Sequence, residues 1–181
     1  MRTVKKLSHK ELFSIAGKIR LLILDVDGVL TDGGIILDNK GNELKSFHVR
    51  DGHGIKMLLN NGIRVALITG RSSGVVKRRA GELGITDVFQ NCRDKRKAYG
   101  KIVKKYALRD SEIAYVGDDI VDLPLLNLCG LPVSVADGHE IVRRCVKLVT
   151  EKGGGKGAVR EVCDLILEAK GLLKKVIDEY S

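Results

Sequence analysis

The sequence predicts an α/β fold, a doubly wound and mostly parallel sheet with helices on both faces and one small β-hairpin inserted near its start. Three observations predict it. Short apolar runs rich in β-branched residues alternate with helix-period segments along most of the chain. With 181 residues, 44% of them hydrophobic, the chain suffices for one sizeable core, so a single domain spanning 1–181 is expected. One segment breaks the alternation in the manner of a hairpin.

In chain order, "RLLILDV" reads as the first strand, its apolar run ending abruptly at Asp25 and Asp27. "GGIILDNKGNELKSFHV" reads as two short strands about an Asn-Lys-Gly-Asn turn, a hairpin over about residues 33–49. "GIKMLLNNGI" is a helix, "RVALITG" a strand, "GVVKRRAGELGI" a helix and "VFQN" a strand. "KAYGKIVKKYAL" (helix), "EIAYVGDD" (strand), "LPLLNLCG" (helix) and "LPVSVA" (strand) continue the pattern. "HEIVRRCV", "KLVT" and the long helical stretch "GAVREVCDLILEAKGLLKKVIDEY" complete it.

Composition narrows the function classes. The net charge of +9 is spread along the chain and aromatics are only 4%, so a nucleic-acid partner is not expected. The dispersed excess reads either as a solvated surface or as a field steering a small anion toward a cleft. No apolar run is long enough for a membrane span, and the charged lead "MRTVKKLSHKELFSIAGKIR" lacks the apolar core of a signal peptide, so no membrane partner and a cytoplasmic location are expected. Cys92, Cys129, Cys145 and Cys163 are single and scattered, which suggests neither zinc nor disulfides.

In such sheets ligands bind beyond the carboxyl ends of the strands, where the strand order reverses. Every polar cluster of interest falls there: Asp25 and Asp27 after the first strand, Thr69 in "ALITGR", Lys95 after "VFQNCRD", and Asp118 and Asp119 in "YVGDD" with Asp122 close behind. In an extended chain Asp25 and Asp27 share one side, and two repelling carboxylates at a buried strand end need an offsetting charge. Carboxylates from two strands, all hard oxygen donors, suit Mg²⁺. A carboxylate beside such an ion can attack phosphorus, with Thr69 and backbone N–H groups holding the phosphoryl oxygens, Lys95 supplying fixed charge, and Asp27 protonating the leaving oxygen and later deprotonating water.

"DVDGVLT", "LITGR", "DK" and "GDDIVD", in this order and spacing, resemble the four motifs of the haloacid dehalogenase superfamily of aspartate-nucleophile phosphatases. The hairpin, "FHVRDGHGI", "TGR" and "GGGKGAVREVCDLIL" narrow the resemblance to a capless branch acting on sugar-acid phosphates in lipopolysaccharide synthesis. The resemblance implies a Rossmann-like core with the hairpin in place of a cap domain. It implies Asp25 as nucleophile, Asp27 as acid/base and a metal ligand through its carbonyl, Asp118 as the other carboxylate ligand, and Asp122 as a supporting group. Substrate contacts are expected from Asp27, His48, Val49, Arg50, Asp51, Gly52, Lys56, Arg71, Arg79 and Lys95.

The hairpin cannot close a cleft alone, and the resemblance implies a homotetramer in which a neighbour covers the site. "EKGGGKGAVRE" then reads as the mobile start of a Gly-rich arm and helix over about 151–181, reaching a bound anion with Lys156 and Arg160, or else as a strand-to-helix loop with a glycine turn. Within the resemblance, relatives acting on nine-carbon esters tend to have Glu and Lys at these positions, so Arg71 after "TG" and Glu82 imply an eight-carbon rather than a nine-carbon sugar acid. A phosphate-binding P-loop is excluded, because Lys156 is followed by glycine. A response-regulator receiver shares the chemical parts but places its acidic pair before the acceptor aspartate, the reverse of the order here.

Overall fold

The structure, a computed structural model, describes residues 7–179; the first six residues of the charged lead lie outside them. Six parallel strands form one sheet: β1 (Leu21–Leu24), β4 (Arg64–Ile68), β5 (Asp87–Phe89), β6 (Ile113–Gly117), β7 (Leu131–Ser134) and β8 (Leu148–Val149). Their order is β5-β4-β1-β6-β7-β8. The chain builds outward from β1 on one side, then returns to start the other side at β6, so the order reverses between β1 and β6. β2 (Ile36–Leu37) and β3 (Glu43–Leu44) form a separate antiparallel pair.

β1 is a fully buried strand, which is why "LLIL" reads as continuous rather than alternating hydrophobicity. Its side chains still divide by parity. Leu22 and Leu24 enter one core with α2 (Val49–Asn60) and α7 (Ala158–Ala169), while Leu21 and Ile23 enter the other with α4 (Lys95–Tyr106). Two apolar layers therefore clamp the sheet, each Leu or Ile contributing about 1.5–3 kcal/mol on burial.

Local signals set the helix ends. Ser8 and Glu11 form a capping box on α1 (His9–Ala16). Ser73 caps α3 (Gly74–Leu83), which stops at Gly84 in the left-handed conformation, φ 83°. Asp94 caps α4 and thereby fixes Lys95 at its first position. Shorter helices α5 (Leu123–Leu126), α6 (Glu140–Cys145) and α8 (Leu173–Asp178) fill the remaining connections.

The hairpin is shorter than expected. Asp38 ties its turn by accepting from the N–H groups of Lys40 and Asn42, and pairing ends at Leu44. The "FHV" segment is not strand: Phe47 packs on the core and Val49 starts α2. Ile36 and Leu37 point to opposite faces of the ribbon, yet they are 53% and 60% exposed, so neither of these side chains is covered by the described residues.

The glycine run is not a loose arm. A Cβ on Gly153 would lie 2.4 Å from Asp137 Oδ2, one on Gly154 1.9 Å from the Gly28 carbonyl oxygen, and one on Gly155 2.7 Å from the Thr31 carbonyl carbon. The Gly155 N–H also donates to the Val29 carbonyl at 2.9 Å. These glycines allow the segment before α7 to press against the loop that follows β1, so the strand-to-helix loop describes it and the mobile arm does not.

Candidate active site

Adjacent strands deliver the site. The Asp25 N–H extends the β1–β6 ladder by donating to Val116 O at 3.0 Å, which sets Asp25 beside the end of β6 and hence beside Asp118. The chain then leaves the extended conformation, because Val29 and Leu30 N–H groups both turn back to Val26 O. Asp27 therefore does not share Asp25's surroundings as strand alternation suggests. Asp25 faces Lys95, whereas Asp27 faces Lys45 and Arg71.

Asp25 is held at both oxygens: Oδ1 accepts from Val26 N–H at 2.7 Å and Oδ2 from Lys95 Nζ at 2.7 Å. Lys95 Nζ also donates to Asp122 Oδ1 at 2.6 Å. Asp122 is fully buried and its acceptor capacity is filled, by Lys95 and the Tyr115 hydroxyl on Oδ1 and by the Asp118 and Asp119 N–H groups on Oδ2. It anchors the strand end and leaves no lone pair directed at a ligand.

Carboxylate atoms of Asp25, Asp118 and Asp122 lie within 4.8 Å of one another. Burial, then the Asp122 charge, pushes Asp25 up to about 6 despite Lys95. Burial, then Asp122 and Asp25, pushes Asp118 up to about 7. Burial opposes the Lys95 ammonium, but Asp25 and Asp122 outweigh it and its pKa is raised. Three carboxylates against one ammonium are thus short of positive charge. The Asp25 and Asp118 oxygens are hard donors, and Gly28 clears space before them, since its Cβ would sit 2.2 Å from Asp118 Oδ2. The residues fit a magnesium ion.

The cleft over this cluster is about 440 Å³ and is lined by Asp25, Asp27, Thr69, Arg71, Lys95 and Asp118, with Cys92 and Arg93 at its side. Thr69 is anchored by its own N–H to Phe89 O and by its carbonyl to Cys92 N–H, which aims the strand end at the cleft. Sequence reasoning missed Arg93, two residues before Lys95, and also Lys45 and Glu43 of the hairpin. The signal for the last two, charged residues facing inward on a ribbon of exposed apolar side chains, lies only in the fold.

The remaining expected substrate residues do not reach this cleft within the chain. Arg79 lies over α2, where a Cβ on Gly52 would meet its Nη2 at 2.4 Å, and it pairs with Glu82 at 3.2 Å. Asp51 is buried and accepts from Arg160 N–H at 2.7 Å, capping the start of α7. The Arg160 side chain turns back to Asp164 at 2.7 Å. His48, Arg50, Lys156 and Arg160 line a separate groove beside α1 and α7. Val49 and Lys56 are exposed on α2.

A model of the haloacid dehalogenase-like hydrolase family matches residues 49–130. The 3-deoxy-D-manno-octulosonate 8-phosphate phosphatase KdsC of Escherichia coli K12 is 50% identical over 158 residues, 87% of this chain and 84% of that protein. The crystal structure of the corresponding phosphatase from Moraxella catarrhalis, in complex with magnesium, phosphate and KDO, superposes with a TM-score of 0.94 at 43% identity, covering 96% of this chain and all of that one. The Yersinia pestis phosphatase superposes with a TM-score of 0.90 at 46% identity, covering 91% and 89%. On the strength of this identity across almost the whole chain, the protein belongs to the haloacid dehalogenase-like hydrolases and, among them, to the KdsC phosphatase family.

Proposed function

We propose that this chain hydrolyses 3-deoxy-D-manno-octulosonate 8-phosphate to the free sugar acid and phosphate, with Asp25 as nucleophile. The observation that carries the reading is the fully satisfied Asp122–Lys95–Asp25 chain ending at an open cleft. It holds one carboxylate, oriented at both oxygens, where an approaching phosphoryl group meets it.

Asp25 Oδ attacks phosphorus in line with the departing sugar oxygen, and Asp27 donates its proton to that oxygen. A phosphoaspartyl group on Asp25 results. Asp27, now ionised, accepts a proton from the water that attacks this group, which releases phosphate and restores Asp25. Thr69 and the neighbouring backbone N–H groups bind the phosphoryl oxygens, and Lys95 offsets part of their charge. The carboxylates of Asp25 and Asp118 with the Asp27 carbonyl would hold the magnesium ion, which supplies charge neutralisation at the phosphoryl group when bound.

Four copies of the chain are part of the proposal. Ile35, Ile36, Leu37, Leu44 and Val49 are all more than half exposed and adjoin the cleft's rim through Lys45, a surface suited to burial between copies. A neighbour seated there also offers the closure that this chain lacks. Val49, Lys56, and the groove carrying His48, Arg50, Lys156 and Arg160, then serve a neighbour's substrate rather than their own.

Magnesium-dependent phosphate release across a panel of eight- and nine-carbon sugar-acid phosphates tests the reading. The eight-carbon ester is expected to lead, and Asp25→Asn to abolish release of phosphate from it. A preference for a nine-carbon ester, or turnover by a pure Asp25→Asn preparation, overturns it.

A further inference from the structure

The Asp27 carboxylate is secured very differently from that of Asp25. Among the described residues its only hydrogen bond comes from Lys45 Nζ, on Oδ1, and its other oxygen lies 3.9 Å from Arg71 Nε. Lys45 stands just past β3, and its side chain is 1% exposed although the surrounding hairpin is solvated. An ammonium this deeply covered needs anionic partners. It has two, Asp27 and, at 3.3 Å, Glu43 Oε1. The same Glu43 oxygen accepts from Arg71 Nη2 at 2.7 Å. Two carboxyl groups and two cations therefore form a closed ring at the lip of the cleft.

Elements of the core fix the nucleophile, through α4 and the strand ends; the hairpin supplies the one hydrogen bond to the Asp27 carboxylate among the described residues, with Arg71 beside it. We infer that Lys45 is the positioning residue for Asp27, holding its carboxyl group toward the leaving oxygen, and that Glu43 locks Lys45 and Arg71 in register for this task. The hairpin is then part of the proton-transfer machinery as well as a surface for assembly. The inference deepens the proposed mechanism and rests on Asp27 being its acid.

The alternative is a tether, in which the ion pair merely pins the hairpin to the core. The two differ in one observable. A displaced acid harms esters in proportion to how much their leaving group needs a proton, whereas a loosened hairpin harms all esters alike. The experiment measures kcat/KM, which spans the steps through leaving-group departure, for Lys45→Met on aryl phosphates of graded leaving-group basicity with magnesium present. Small aryl esters serve because they need no sugar-specific contacts.

The expected result is a steeper dependence on leaving-group basicity. Loss should be about 100-fold for the most basic phenol and about 3-fold or less for p-nitrophenol, which departs as a stable anion. Lys45→Arg should restore most of the parent slope. Melting temperature and oligomer mass accompany each variant, and if methionine unfolds the protein, Lys45→Leu, which likewise lacks a donor, carries the same comparison. A uniform loss across the series, or none, overturns the role of Lys45. Asp27→Asn separates the two layers of the argument: if it too leaves the slope unchanged, the acid assignment falls and the inference with it. If it steepens the slope while the Lys45 variants do not, only the inference falls.

Discussion

Gly154→Ala adds one methyl group at the point where the glycine run meets the loop after β1. The Gly154 backbone is not left-handed, so no conformational strain enters and contact alone decides the outcome. The new Cβ would lie 1.9 Å from Gly28 O, 2.6 Å from Gly28 C and 2.8 Å from Thr31 O. An ordinary contact begins at 3.4 Å, so the nearest approach is short by 1.5 Å. All three atoms are backbone and cannot swing aside. Retreat is blocked on both sides: Gly154 N–H is held by Asp137 Oδ1 at 2.8 Å, and Gly28 already has Asp118 against it. Overpacking costs about 1–3 kcal/mol, and two backbones without slack put this case near 3. At about 2–4 °C per kcal/mol for a chain of this size, melting should fall by about 6–12 °C. The Gly28 carbonyl adjoins the Asp27 peptide, and a displacement of about 1 Å there should lower p-nitrophenyl phosphate turnover by about 100-fold. Gly100→Ala, with open space around it inside α4, is the control and should gain about 0.5–1 kcal/mol. If Gly154→Ala melts and turns over like the parent, the run is a loose arm and the packing argument is wrong.

Two further outcomes are expected. Asp25 and Asp118 have pKa values near 6 and 7 in the folded protein against an ordinary 3.8, so the folded state holds extra protons between these limits and the metal-free protein loses stability as pH rises through that window. A magnesium ion replaces those protons, so the stabilisation on adding magnesium to chelator-treated protein, read from the rise in melting temperature, should be small near about pH 5 and grow to a plateau above about pH 7, reaching about 2.7 kcal/mol at a hundredfold excess over Kd; a stabilisation independent of pH contradicts the assignment. Leu37→Ser with Leu44→Ser removes two of the exposed hairpin side chains, and light scattering should show loss of the four-chain mass together with a fall of at least about 10-fold in kcat/KM for the sugar-acid ester, because an uncovered cleft admits water. A four-chain mass in that variant removes the hairpin from the assembly.

The strands themselves and their acidic ends were legible because both are written locally. A buried parallel strand must be continuously apolar, so "LLILD" marks both its own burial and the point where burial stops. What was not legible depends on partners distant in the chain. Three consecutive glycines encode flexibility and close approach equally well, and only the Gly28 and Thr31 carbonyls decide between them. Asp51 reads as a ligand beside its His-Val-Arg neighbours, but its partner is a backbone N–H 109 residues away. Alternation placed Asp27 beyond β1 on the same cleft as Asp25 but not its separate cation partners, because the chain coils at Val26 and period-2 reasoning ends with the strand.

The inner and outer charges of the site divide the chemistry between them. With Asp27 ionised, the outer ring of Asp27, Glu43, Lys45 and Arg71 is neutral, so it orients groups without drawing an ion into itself. With its three carboxylates ionised, the inner cluster of Asp25, Asp118, Asp122 and Lys95 carries two net negative charges, the amount a divalent cation cancels. Asp122 makes this division work. Were it absent, Asp25 would be the one carboxylate in direct contact with Lys95 among the described residues, and the proposed nucleophile would be tied in a private ion pair. With Asp122 at 2.6 Å and Asp25 at 2.7 Å, the ammonium is shared, and withdrawing Asp25 toward phosphorus leaves Lys95 still paired. In the proposed mechanism the buried Asp122, whose oxygens are all occupied within the protein, is therefore what frees Asp25 for phosphorus.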